Sequence, residues 1–346
     1  LLVLLLALAV GSSLSAQIGG RHVYSFLDLA PAGRLAALGG VNLTTYDHDL
    51  NFAYQNPALV NDSMHQQLSF SITNYLSDIT YGYAGYAHSF EGIGDFHAGV
   101  QYLSYGKMQA ADEYGNVTGQ FGSKDIALVV GGSRMFDQFR GGVNLKLLNS
   151  SISGYQSHWG VGMDVGGLYV SESGLFTAAM VFRNMGFNLT RYNLPEELRS
   201  PLPFDAQMGV SAKLKHMPLR FSATVTNLTR PNLIYVDPNP VIEYDLSGNP
   251  IEPKKQFADK LFRHFVFGGE FLITRNFNLR AGYNHLRRAE LRSANRGGVS
   301  GFSFGAGIKI SKFRFDYGFS SFHAIGGTHN FTISTNLGEY KKKGAN

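Results

Sequence analysis

The densest run of potential ligands in the sequence is Asp47-His48-Asp49, two carboxylates flanking an imidazole. Such a run could hold a divalent cation, but neighbours on an extended chain point to opposite sides. An aspartate just ahead of Asn51-Phe52 serves equally well as a helix cap, and that reading is preferred. Asp112-Glu113-Tyr114-Gly115-Asn116 is acidic enough to attract Ca²⁺. It lacks the spaced ligands of a calcium loop and reads as a glycine turn. For hydrolytic chemistry the candidates are His264, Asp259 and His285, near predicted strand ends, and His323 in a predicted loop. No ordered set of nucleophile, base and orienting group accompanies them. The expectation is structural or solvated roles, with no catalytic residue, no metal and no cofactor. The chain has no cysteine, so it has no thiolate ligand, Cys nucleophile or disulfide.

The elements that would carry these residues are strands. Of the 346 residues only 16% are charged, against about 25% in soluble domains. Beyond the first ten residues, no apolar run approaches the ~20 residues of a spanning helix. From about residue 66 the apolar period is two. Leu68, Phe70 and Ile72 alternate with Ser69 and Ser71; Val143, Leu145 and Leu147 with Asn144 and Lys146; Phe331 and Ile333 with Thr332 and Ser334. One face is apolar and aromatic, and the other is Gly, Ser, Asn, Thr or charged. That pattern suits a barrel with lipid outside and a crowded or wet interior.

Fourteen such segments are expected, near 66–76, 79–90, 95–105, 124–134, 138–149, 157–170, 174–184, 206–215, 218–228, 263–273, 276–285, 301–311, 312–320 and 328–337. Joins after even strands are short. Those after odd strands are mostly long: 106–123, 150–156, 185–205, 229–262, 286–300 and 321–327. A membrane barrel sorts its loops in this way, with short periplasmic turns and long extracellular loops. The inward residues Lys146, Asp164, Arg183, Arg220, Glu270, Arg280, Lys309, Arg314 and Asp316 carry mixed signs, as paired charges gripping something inside would.

Four segments are expected. Residues 1–16 read as the remnant of a signal peptide. Residues 17–65 break the period and read as an N-terminal plug, with a short helix starting near Pro31 and ending at Gly39-Gly40. Residues 66–340 form the transmembrane barrel, and 341–346 a polar tail. The net charge of +5 is mostly scattered, except for Arg287, Arg288, Arg292 and Arg296 and for Lys341-Lys342-Lys343. An exported protein argues against a nucleic-acid partner, and a polyanion contact such as lipopolysaccharide phosphate is the sharper alternative to solvated loop charge.

Three stretches carry a resemblance: Pro31 to Val41 followed by Asn56-Pro57-Ala58; Tyr105-Gly106-Lys107 with Glu113 to Asn116 and Gly119-Gln120-Phe121; and Leu194-Pro195-Glu196-Glu197-Leu198 with Leu202-Pro203-Phe204-Asp205 and His216-Met217-Pro218. In order and spacing they resemble the PorQ and PorV family of outer-membrane components of the type IX secretion system, PorQ more than PorV. They are similar, more distantly, to FadL-type 14-stranded transporters. The resemblance implies a non-catalytic anchor of the attachment complex. It would hold a PorZ-like surface protein, with the PorU sortase and PorV in the same complex, while cargo is joined to lipopolysaccharide. It also gives Asn56, Pro57 and Ala58 a structural role in the plug. Tyr192, Leu194, Ile234, Tyr235, Phe257, Arg288 and Arg292, on the long loops, are the expected partner contacts. The alternative is a FadL-like channel for hydrophobic small molecules. It would need a lateral opening, and Gly131-Gly132 or Gly141-Gly142 are the candidate kinks.

Overall fold

The computed structural model describes residues 24–75, 79–152, 156–190, 201–234, 257–291, 299–323 and 326–341. The expected signal remnant, 1–16, lies outside them. Fourteen strands run antiparallel: β1 Gln67–Asn74, β2 Thr80–Phe90, β3 Gly94–Ala111, β4 Val117–Phe136, β5 Phe139–Ile152, β6 Gln156–Val170 and β7 Phe176–Asn188. They continue as β8 Asp205–Lys213, β9 Leu219–Val225, β10 Phe265–Phe271, β11 Phe277–Asn284, β12 Phe302–Ile310, β13 Phe313–His323 and β14 Gly326–Asn336. Each strand pairs with its sequence neighbours, and β1 pairs with β14 through Ser69 and Ser334, so the sheet is a closed barrel. Closure leaves no sheet edge to satisfy, which suits a hydrocarbon surrounding.

The phase of the strands is the one the alternation requires. Ile72, Leu145 and Phe331 face outward and are 57%, 61% and 54% exposed, while Thr73, Asn144 and Thr332 beside them are buried. An apolar belt of this extent exceeds what soluble monomers expose and matches a lipid-facing wall. No helix among the described residues is long and apolar enough to cross a membrane.

The six turns after even strands are all short, at 91–93, 137–138, 171–175, 214–218, 272–276 and 311–312. The opposite end carries long connections at 189–204, 226–264 and 285–301. These hold two short helices, α2 (Phe257–Phe262) and α3 (His285–Leu291), where loop alone was expected. The expected loop 106–123 is corrected to a hairpin. β3 and β4 stay paired from Lys107–Gly122 out to Ala111–Val117 and close on a turn at 112–116. There the Asp112 carboxylate accepts hydrogen bonds from the Tyr114 and Asn116 amides and from Asn116 Nδ2. His323 ends β13 instead of lying in a loop. Beyond β14 lies a helical turn, Gly338–Lys341, and the expected tail, 341–346, lies outside the described residues apart from Lys341.

Residues 24–65 pack against the inward face of the wall. The segment holds one α-helix, α1 (Gly33–Ala37), and 3-10 turns at Ser25–Asp28, Leu50–Tyr54, Pro57–Leu59 and Asp62–Met64. Pro31 sits just ahead of the α1 N-cap, Ala32, not inside the helix as expected. Gly39 and Gly40 adopt the positive φ values that end it. A segment with so little regular structure leaves many carbonyls unpaired, and buried carbonyls must find donors. The polar wall face supplies them. Gln101 Nε2 donates to Phe26 O (2.9 Å), Ser133 Oγ to Val60 O (2.7 Å), Thr177 Oγ1 to Thr44 O (2.7 Å) and Ser320 Oγ to Ala36 O (3.1 Å). The Ser, Thr, Gln and Asn of the inward face thus satisfy the backbone inside.

Candidate functional site

The barrel interior holds a charged network toward the short-turn end and an apolar cluster toward the long-loop end, besides a second apolar cluster in which Leu35, Leu38, Phe52 and Leu59 pack on Leu168, Ala179 and Val181 of the wall. The network centres on Arg34 of α1. Its guanidinium reaches Asp47 (2.7 Å), Asp49 (3.2 Å) and Glu270 on β10 (2.8 Å). Arg220 on β9 contacts Asp47 and Glu270 at 2.9 and 3.0 Å. Arg280 on β11 bridges Glu270 (3.1 Å) and Asp316 on β13 (2.7 Å). Arg314 lies 3.7 Å from Asp316 and touches His48. Four arginines thus meet four carboxylates, and the network is balanced in charge. Buried charges persist only when matched and hydrogen-bonded in this way.

The Asp47-His48-Asp49 run is absorbed by this network. Asp49 also caps the Leu50–Tyr54 turn by accepting from the Asn51 amide. Of the inward residues expected to form pairs, Arg220, Glu270, Arg280, Arg314 and Asp316 belong here. Lys146 and Asp164 form a second pair at 2.7 Å, both fully buried. Asn184, at positive φ, accepts from Lys146 Nζ (2.7 Å) and donates its amide to Asp164 Oδ1 (2.8 Å). The β6–β7 register slips at this point, between Met163 and Val165. Arg183 donates to Leu27 O at 3.0 Å. Lys309 stands at the rim, where it pairs with Glu339.

The apolar cluster comprises Tyr81, Leu103, Ala127 and Leu148 on the wall, Leu202 from the 189–204 connection, and Tyr24, Phe26 and Leu27 from the inner segment. The wall positions lie on the stretches of β2 to β5 that approach the long-loop end. Leu202 is held by its neighbour, because Asn184 Nδ2 donates to Pro203 O at 3.0 Å. Leu202 lies in a stretch with no strand period, so nothing in its spacing marks it as a lining residue.

Asn56, Pro57 and Ala58 seat the middle of the inner segment. Asn56 caps the turn that follows, accepting from the Ala58 amide (2.9 Å), and donates to Leu43 O (2.8 Å). This turn presses on wall glycines: a Cβ at Gly142 would lie 2.5 Å from both Pro57 C and Ala58 N. On the other side of the barrel Gly318 similarly abuts the Gly33 backbone. The glycines of the inward face are therefore sites of close approach. They do not kink the wall as expected: Gly131 and Gly132 pair in register with Asn144 and Val143, and Gly141 and Gly142 with Gly167 and Gly166.

At the long-loop end, Phe257 is 77% exposed, Ile234 is half-buried, and Arg288 Nη1 reaches Ser300 O at 3.5 Å. Tyr192, Leu194, Tyr235 and Arg292 lie outside the described residues. Arg287 does not share a surface patch with Arg288; it stacks over Phe322 at 4.5 Å. His264 is buried with Nδ1 2.9 Å from Thr226 O, a structural contact. His285, by contrast, meets Asp259 (3.0 Å) and the Tyr283 hydroxyl (2.8 Å), which sequence alone did not bring together. This contact ties α2 to α3. Burial disfavours the Asp259 charge, but hydrogen bonds from His285 and Arg263 outweigh it and hold the carboxyl below its ordinary range. A depressed folded-state value gives stability that is present at neutral pH and is lost as pH falls through that value. Amide protection factors at 257–262, taken relative to the intrinsic exchange rate, are expected to fall below pH ~3.9 before those of the barrel ladder change. Equal protection at neutral and acid pH would contradict this.

The fold has known counterparts. The toluene transporter TodX of Pseudomonas putida matches over 89% of this chain and 97% of its own, with TM-score 0.55 and 11% identity. A TodX mutant lacking S2S3, described as a monoaromatic hydrocarbon channel, matches with TM-score 0.54 and 11% identity over 88% and 99%. The toluene transporter TbuX of Ralstonia pickettii matches over 90% and 98%, with TM-score 0.52 and 12% identity. At such identities the likeness is one of fold: a FadL-like 14-stranded barrel. No family model matches the chain, and no curated protein does.

Proposed function

We propose that this chain is an outer-membrane barrel that admits small hydrophobic molecules from its long-loop, extracellular side, with residues 24–65 as a movable plug. The observation that carries this reading is the apolar cluster. Most of the inward face is polar because it satisfies the plug backbone, but at the long-loop end Leu103, Ala127, Leu148 and Leu202 offer only apolar side chains, beside the ring of Tyr81, whose hydroxyl accepts from Gln101 Nε2 at 2.6 Å. The side chains of Phe26 and Leu27 fill the apolar space there, and a hydrophobic solute in their place would meet the same apolar surface, while Gln101 and Arg183 would exchange their bonds to Phe26 O and Leu27 O for other acceptors. Fold-level likeness to toluene transporters supports the same class of cargo.

The test uses purified barrel and a hydrophobic fluorophore such as N-phenylnaphthylamine. Phe26→Ala with Leu27→Ala opens volume and is expected to tighten binding several-fold. Leu103→Trp fills it and is expected to weaken binding, with heat-modifiable migration confirming an intact barrel in each case. Binding indifferent to both changes sinks the reading.

A second reading is favoured by the gathering of all three long connections, and of the β3–β4 hairpin, at one end. In it the barrel is the mount of a type IX secretion attachment complex. It holds a PorZ-like surface protein through residues such as Ile234, Phe257 and Arg288, beside PorU, PorV and lipopolysaccharide. Affinity purification from native membranes discriminates, because only this reading expects a stoichiometric surface partner.

A further inference from the structure

The short-turn end has its own polarity. Its first three turns carry Glu91, Asp137 and Glu172; its last three carry Lys215 with His216, Arg275 and Lys312. Under the basic half lies a cavity of about 540 Å³, within the range of small-ligand sites. Arg34, Arg220 and Arg314 line it from the buried network. Lys213, Lys215 and Arg275 line it at the rim, and Asp47 is the one carboxylate among the lining residues. The carboxylates of the network are already matched by its own arginines, as the four-to-four pairing shows. Among the described residues no carboxylate lies within ion-pairing distance of Lys213, Lys215 or Arg275. The cavity therefore carries uncompensated positive charge over a polar, immobile floor.

Beside this basic rim, Leu214, Met217 and Ile273 are 38%, 53% and 41% exposed and continue the apolar belt. A group with concentrated negative charge fits the cavity, and an attached apolar tail would fit the collar. We propose that this cavity is a binding site for a phosphate group, carried either by a lipid headgroup or by a soluble phosphate. A phosphate dianion suits three converging cations better than a single carboxylate does, because each N–H···O⁻ contact is charge-assisted. The site is independent of the apolar-cargo reading, since it opens at the other end and uses other residues.

The test compares the wild-type barrel in neutral detergent with the triple variant Lys213→Gln, Lys215→Gln, Arg275→Gln. These side chains are exposed, so the variant keeps the buried network and folds. Inorganic phosphate and dihexanoyl phosphatidic acid are titrated calorimetrically. At least one is expected to bind the wild type and to lose roughly tenfold or more in affinity in the variant. Binding of inorganic phosphate identifies a soluble ligand; binding of the lipid alone identifies a headgroup site. Arg134→Gln, at the same end outside the cavity, is expected to retain wild-type affinity. The proposal is overturned if neither probe distinguishes wild type from the triple variant, or if Arg134→Gln loses as much.

Discussion

Replacing Arg34 with alanine is expected to destabilise the inner segment, residues 24–65, by about 3–5 kcal/mol, the usual consequence of removing one partner from a buried ion cluster. Arg34 is 3% exposed and reaches three carboxylates, two of which are 2% exposed. Without it, Asp49 loses its ion-pair partner, and Asp47 and Glu270 crowd around Arg220 and Arg280. Water entering from the cavity that Arg34 lines cannot supply the positive charge that the guanidinium did. The inner segment, not the wall, takes the damage, because wall strands remain paired through their own ladders. Protease access to residues 33–50 is expected to rise while the barrel keeps its heat-modifiable migration. Arg34→Lys is expected to fall between, since one ammonium cannot serve three carboxylates with the planar fork of arginine. An alanine variant as protease-resistant as wild type would show that the network is not what holds the inner segment.

The second large effect is expected from one methylated position on the wall. Gly142→Val places its Cβ against backbone atoms of Pro57 and Ala58, which cannot step aside as a flexible side chain would. Overpacking of a tight core costs about 1–3 kcal/mol and more where backbone is the obstacle. Gly141 supplies the control: it faces outward, and a Cβ there meets nothing within 4 Å. Chemical denaturation is expected to separate Gly142→Val from a near-neutral Gly141→Val, although the two positions are adjacent and carry the same substitution. Equal midpoints would refute the close fit of the Asn56–Ala58 turn.

Much of the wall was legible because a bilayer imposes a simple code: apolar at every second position over a belt-width of chain. All fourteen strands follow from it. The code also explains the main misreading. Beyond Ser104 and Lys124, the paired arms carry Gln109, Gly119 and Gln120 without an apolar belt, so a continuing hairpin looked like loop. The interior was less legible. Mixed charge announced pairing, but Arg34 joins carboxylates 13, 15 and 236 residues away, and no local pattern encodes such a meeting. Glycine on the inward face was visible as composition. Its cause, close approach of a second backbone, appears only once residues 24–65 are placed against the wall. The apolar cluster at the long-loop end was hidden for a related reason: its wall members interrupt the polar phase of four different strands one residue at a time.

Uptake of a radiolabelled monoaromatic hydrocarbon tests the account most directly. The measurement uses cells with no such channel of their own, expressing the wild type, the Phe26→Ala/Leu27→Ala variant or Leu103→Trp. Uptake above the empty-vector rate, faster with the alanine pair and slower with the tryptophan, is the predicted result. Rates equal to the vector for all three correctly inserted barrels would contradict a hydrophobic path through the plugged lumen.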